Sequence, residues 1–144
     1  MINPSNKVVM LLTFLVVVSL WFPSTLAREV SRPNDLILSK MYVSITNTLE
    51  DKSDFTIHCK SGDDDLGVHV IKAGGKYEWS FKVNFWGTTL YFCGVTTKHG
   101  SGIYDLYDAS RDNTGKNGNV IWEVKQKGVS CLTRDAFYDW KPKE

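Results

Sequence analysis

The chain has 144 residues, 42% hydrophobic and 23% charged, with five Trp, six Tyr and seven Phe; this suits one globular domain and excludes a wholly disordered or collagen-like polymer. Seventeen Lys and Arg stand against sixteen Asp and Glu, a formal charge of +1. A nucleic-acid binder advertises itself by a basic excess, so that partner class is excluded on charge.

Lys7 precedes an apolar run from Val8 to Phe22, followed by Pro23-Ser24-Thr25-Leu26-Ala27. A positive start, a short apolar stretch and a small closing residue predict a secretory signal peptide over 1–27, cleaved after Ala27. A membrane anchor would need about 20 apolar residues, and this stretch is interrupted by Thr13 and Ser19. Loss of the segment takes Lys7 and no acid, leaving sixteen bases against sixteen acids. The expected product is secreted, extracellular, monomeric and without a membrane anchor.

Residues 28–40 are polar and mixed, and read as a flexible arm before a single domain over 41–144. Met41 to Asn47 alternates, with Val43 and Ile45 on one face, and Phe55, Ile57 and Cys59 alternate likewise. Asp63-Asp64-Asp65 interrupts, Leu66 to Ile71 resumes an extended pattern, and Ala73-Gly74-Gly75-Lys76 signals a turn. Tyr77, Trp79, Phe81 and Val83 then alternate with polar residues in the clearest strand of the chain. Thr88 to Val95 is apolar on both phases, as in a strand covered on both sides. A Gly-rich turn at Lys98–Gly102 leads into Ile103–Tyr107, and a polar loop runs from Asp108 to Asn119. Val120, Trp122 and Val124 alternate inward, and a last short strand carries Cys131. No apolar spacing of three and four persists over a dozen residues. The expectation is an all-β protein, an antiparallel β-sandwich of seven or eight short strands.

Three cysteines, Cys59, Cys93 and Cys131, cannot all pair within one exported chain, so one bridge and one leftover sulfur are expected, the latter buried or paired between chains. They are too scattered for zinc. His58, His69 and His99 show no spacing that would converge on one substrate. The three consecutive aspartates lack calcium-loop spacing and read as a solvated turn. Trp79 and Trp122 fall on inward phases; Trp86 and Trp140 stand outside any alternation and are candidate surface anchors. No catalytic residue, metal or cofactor is expected.

Val43-x-Ile45-x-Asn47-x-Leu49, His58-Cys59-Lys60-Ser61, Asp63-Asp64-Asp65-Leu66-Gly67, Trp79-Ser80-Phe81, Trp86-Gly87-Thr88-Thr89-Leu90-Tyr91-Phe92-Cys93, Tyr107-Asp108-Ala109-Ser110-Arg111-Asp112, Trp122-x-Val124 and Gly128-x-x-Cys131 follow in order. The ordered set resembles the plant self-incompatibility S-protein homologues. The resemblance implies a small secreted β-sandwich acting as an extracellular signalling ligand for a cell-surface receptor, in rejection of self pollen or related cell–cell communication. Family members carry a fourth cysteine shortly before the position of Trp122, and this chain has none there. The resemblance therefore implies Cys59–Cys131 as the surviving bridge and Cys93 as the free thiol.

A ligand of this kind presents loops held by a rigid scaffold. The candidate receptor contacts are Lys98 and His99 in one loop, and Asp108, Arg111, Asp112, Lys116 and Asn117 in the other, with Arg111 and Asp112 equally suited to fixing the turn. The alternative is a cell-wall carbohydrate-binding module, which would use exposed aromatics.

Overall fold

From residue 40 onward the chain runs β1 (Lys40–Asn47), β2 (Phe55–Lys60), β3 (Asp65–Ile71), β4 (Lys76–Lys82), β5 (Leu90–Thr96), β6 (Ser101–Asp108), α1 (Ala109–Asp112), β7 (Gly118–Lys125), β8 (Gly128–Cys131) and β9 (Ala136–Asp139). This is a computed structural model, and it describes residues 6–7 and 38–141. The signal peptide, its cleavage after Ala27 and all but the end of the 28–40 arm lie outside the described residues; Lys40, assigned to the arm, already belongs to β1.

The strands form a five-stranded sheet, order β4-β1-β7-β8-β9, and a four-stranded sheet, order β3-β2-β5-β6. The all-β sandwich read from alternation is what is found, with nine strands among the described residues rather than seven or eight. Its pairs are antiparallel except β1 with β7, which run parallel from Met41↔Gly118 to Asn47↔Val124. A parallel neighbour requires a long crossover; here the intervening chain builds the whole second sheet. Alternation within a strand reports its buried face and carries no information on the direction of its neighbour.

The core lies between the sheets. Val43 and Ile45 of β1, and Val120, Trp122 and Val124 of β7, face Phe55, Ile57, Tyr91, Val95, Leu106 and Tyr107 of the other sheet, all buried. Each large apolar side chain so placed contributes about 1.5–3 kcal/mol of transfer free energy. Trp122 has 0% exposure, and its Nε1 donates to the Leu106 carbonyl at 3.0 Å, which satisfies the indole dipole across the layers. Phe81 of β4 meets Tyr91 at 4.5 Å and Tyr107 at 4.8 Å between ring centroids.

Leu106 and Tyr107 are consecutive yet both buried. Tyr91 pairs with Tyr107 while Phe92 pairs with Asp105, so Leu106 is the extra residue of a β-bulge that turns two successive side chains inward. The two-sided cover expected for the Thr88–Val95 run is corrected. The strand begins at Leu90; Tyr91, Cys93 and Val95 are buried, whereas Leu90 and Phe92 lie on the solvent face. Apolar side chains commonly occupy protein surfaces, so apolarity on both phases does not require a second covering layer.

The disulfide is also corrected. Cys59 of β2 and Cys93 of β5 stand directly opposite each other with Cα atoms 4.0 Å apart and are bonded, so Cys59–Cys131 does not form and Cys93 is not free. Cys131 lies on β8 in the other sheet, opposite Trp122, buried and unbonded. A disulfide needs close Cβ atoms, which cross-strand neighbours supply. The sulfur left over is therefore that of Cys131.

Candidate recognition surface

Strand direction sorts the connections into two ends of the sandwich. Residues 48–54, 72–75, 97–100 and 126–127 lie at one end; 61–64, 83–89, 109–117 and 132–135 lie at the other. The two loops singled out in the sequence are therefore not brought together. Lys98 and His99 precede the start of β6, whereas Asp108 is its last residue and Arg111 to Asn117 follow it, separated by a strand of eight residues, roughly 25 Å at 3.3 Å per residue.

At the first end the polar groups are turned on one another. Asp51 accepts from the Ser53 backbone N–H at 3.0 Å and the Ser53 hydroxyl at 2.7 Å. Lys98 Nζ and His99 Nε2 each lie 2.7 Å from its other oxygen. Donation by Lys98 first, and then by Ser53, holds this carboxyl well below the usual carboxylate range. His99 Nε2 is also 2.8 Å from Gln126 Nε2. Beneath them Asn47 donates to the carbonyls of Ser53 and Ile71, both at 2.9 Å, and accepts from the Leu49 N–H, which fixes the base of the loop. Lys98 and His99 thus serve as a clasp between loops.

The other end is built around Asp112. Asp108 is the N-cap of α1, and its Oδ1 accepts from the Ser110 N–H at 2.8 Å and hydroxyl at 2.6 Å. The same two bonds lower the Asp108 pKa. Asp112, with its side chain only 2% exposed, accepts from the Asp108 N–H at 2.9 Å and from Arg111 Nε at 3.0 Å and Nη2 at 2.8 Å. Arg134 Nε, from the β8–β9 turn, lies 3.1 Å from its Oδ1. Arg111 also donates to the Asp105 carbonyl, and its bond to Asp112 raises its pKa further. Asn117 Oδ1 accepts from the Lys40 N–H at 2.8 Å and pins the end of the loop to β1, while Lys116 is exposed. Arg111 and Asp112 therefore fix the turn and form the wall of a small cavity. Arg134 was not singled out in the sequence; it is remote in the chain, and only the β7–β8 pairing brings it here.

Beside this cluster, at the same end, the turn 84–87 holds Phe85 and Trp86 outward, 63% and 80% exposed, their rings 5.0 Å apart edge to face. Gly87 closes the turn on Asn84 with φ +65°, and Asn84 Oδ1 accepts from the Thr88 N–H. A groove of about 440 Å³ runs from this turn past Lys82, Trp79 and Tyr91 to Asp63 and Asp64. Trp86 is thus exposed. Trp140 is instead packed against the core with its Nε1 bonded to the Gln126 carbonyl.

The histidines occupy separate environments. His58 and Lys60 point outward and share Asp65 at 2.6 and 3.2 Å, and the Gly67 N–H and His58 hold that carboxyl well below its ordinary range. His69 faces inward and stacks on Tyr77 at 4.3 Å. Among the described residues no group of three His, Cys, Asp or Glu is placed to hold a metal ion, and no helix is long and apolar enough to cross a membrane.

Comparison with known proteins agrees with this architecture. The sequence model of plant self-incompatibility protein S1 matches residues 42–141. S-protein homolog 6 of Arabidopsis thaliana is 46% identical over 90 residues, 58% of this chain and 65% of that protein, so the chain spans slightly less than two thirds of that relative. S-protein homolog 3 of the same plant is 37% identical over 110 residues, 71% of this chain and 73% of that one. A solved structure of the self-incompatibility protein homologues, described as a widespread family of small, highly stable, secreted proteins from plants, has the same fold. Its TM-score is 0.52 at 18% identity, covering 74% of this chain and 91% of that one. An all-β sandwich with the ordered motifs in place, a match over residues 42–141 and these relatives lead to one conclusion: the chain belongs to the plant self-incompatibility protein S1 family.

Proposed function

We propose that the protein is an extracellular signalling ligand that engages a cell-surface receptor through the end of the sandwich built around Asp112. Membership of a family of small secreted plant proteins supports export. The observation that carries the choice of surface is the contrast between the two ends. One closes Lys98 and His99 onto Asp51; the other displays Phe85, Trp86 and Lys116 on loops pinned to the strands. Exposed aromatics on a fixed turn make good anchors, since Trp buries a large area at low entropic cost and is enriched at binding hot spots. In this reading the protein acts by binding as a monomer, with no catalytic step and no cofactor.

Labelled protein applied to plant cells should show saturable surface binding competed by unlabelled protein. Trp86→Ala should weaken that binding at least tenfold, whereas Lys98→Ala should leave it within about twofold. Absence of competed binding on every reproductive and vegetative tissue overturns the reading, as does equal loss with both variants.

The Phe85–Trp86 pair also favours a second reading, a carbohydrate-binding module stacking sugar rings beside the groove at Asp63 and Asp64. Binding to a sugar array, lost in Trp86→Ala, would establish it in place of the receptor.

A further inference from the structure

The outer face of the five-stranded sheet carries a depression. Val43 and Ile45 of β1 point into the core, so Tyr42 and Ser44, which alternate with them, point outward. Pairing sets Ser80 and Asn119 on either side of Tyr42, and Glu78 and Ile121 on either side of Ser44. These residues line a cavity of about 490 Å³, within the 300–1,000 Å³ of typical ligand pockets. Tyr42 is 47% and Ile121 41% exposed, while the smaller, half-buried Ser44 lies between them as the floor. The hydroxyls of Ser44 and Ser80 and the amide of Asn119 make no hydrogen bond among the described residues, and Ser80 and Asn119 are exposed. Charge, in contrast, is already matched. Lys76 and Glu78 pair at 2.7 Å, and Lys40 lies 5.1 Å over the Tyr42 ring without lining the cavity. Lys40 and Ser44 flank Tyr42 along the strand, so with Lys40 over one face of the ring the other is left to the cavity.

We propose that this depression binds a neutral saccharide whose pyranose rings carry equatorial hydroxyls, as in a β-1,4-glucan. Such rings present a face of axial C–H bonds that packs on the negative face of an aromatic ring. Their edge hydroxyls both donate and accept, as do Ser44, Ser80 and Asn119. A uronate would meet the Glu78 carboxylate with no unpaired cation in the lining. A peptide strand would pair along the open edge of β4 rather than lie across the sheet. The depression shares Trp79 and Ser80 with the groove that runs to Asp63 and Asp64, but Tyr42, Ser44 and Asn119 belong to it alone. It does not need the receptor reading: a protein held on a polysaccharide through this sheet face keeps the loops at both ends free.

The test titrates isotopically labelled protein with cellotetraose, following the Asn119 side-chain amide and the Tyr42 ring signals by NMR. Saturable shifts of both in the millimolar range are expected. Tyr42→Ala should weaken binding by about fivefold or more, the effect of losing an aromatic contact, and Trp86→Ala should leave it unchanged. Should Tyr42→Ala unfold, Ser44→Val places a strand-favouring residue on the floor and fills it; it should abolish the shifts. Absence of saturable shifts, or full binding by folded Tyr42→Ala or Ser44→Val, overturns the site. Saturation by tetragalacturonate but not by cellotetraose overturns the neutral-sugar assignment. Loss of binding with Trp86→Ala and not with Tyr42→Ala moves the sugar to the groove and overturns the site as well. Because no cell is involved, failure here leaves competed surface binding standing, and failure of surface binding leaves this site standing.

Discussion

At the scale of single residues, the interior holds two polar commitments that decide how this sequence tolerates change. Asp112 is a carboxylate removed from water and compensated by two guanidinium groups and a backbone N–H. Breaking one side of such a buried network typically costs about 3–5 kcal/mol, so Asp112→Leu, which leaves both arginines uncompensated, should lower the denaturation free energy by that order in a urea titration. The second commitment is sulfur. Cys131 is fully buried and the other two cysteines are bonded; a thiol reagent should therefore find none in native protein and one after denaturation. Replacing Cys59 and Cys93 together by Ala should cost about 4 kcal/mol by loop-closure entropy for their separation in sequence. The inward phase of Cys59 was legible from Phe55 and Ile57 on the same face. Its partner was not, because bridging depends on which strands become neighbours, and β2 meets β5 only after a sheet has formed.

At the scale of elements, legibility followed periodicity. Residues 41–47 and 120–124 alternate with branched or aromatic residues on the buried phase, and their faces read correctly from the chain. β9 was missed because Ala136–Asp139 is short and largely exposed, so it carries no alternation to detect. What locates it is Gly128: a Cβ there would stand 2.0 Å from the Tyr138 carbonyl oxygen, since β8 and β9 approach closely at that position. Gly128→Ala should consequently cost about 1–3 kcal/mol by overpacking, seen as a lowered melting temperature with new exchange of the β9 amides. The α1 turn likewise reads as loop in the sequence. Its N-cap Asp108 and the Ser110 that donates to it are in plain view, but four helical residues carry too little pattern to separate from a polar connection.

For the whole molecule, the titrating groups set a window of stability. Asp51 and Asp65 have folded pKa values depressed below the unfolded value of about 3.9. Their contribution is present above that pH and is lost as pH falls through the folded values, where the unfolded chain binds more protons. Burial moves Tyr107 the other way, to about 12, so its contribution is present below about pH 10 and is lost between 10 and 12. Melting temperature recorded across pH should fall beyond both limits; Asp51→Asn should soften the acid limb and Tyr107→Phe the alkaline one. The candidate site was half legible. The Asp108–Asp112 stretch stood out in the sequence, whereas Arg134, Phe85 and the opposition of the two ends emerge only from topology. The same topology governs the order of assembly. β1 is an interior strand of its sheet, and the neighbour running alongside it is β7, contributed some seventy residues later. A nascent chain can therefore close the Cys59–Cys93 staple early. Its first strand must nevertheless wait, one flank unpaired, until Gly118–Lys125 arrives, which makes that interval the period when chaperone protection matters most.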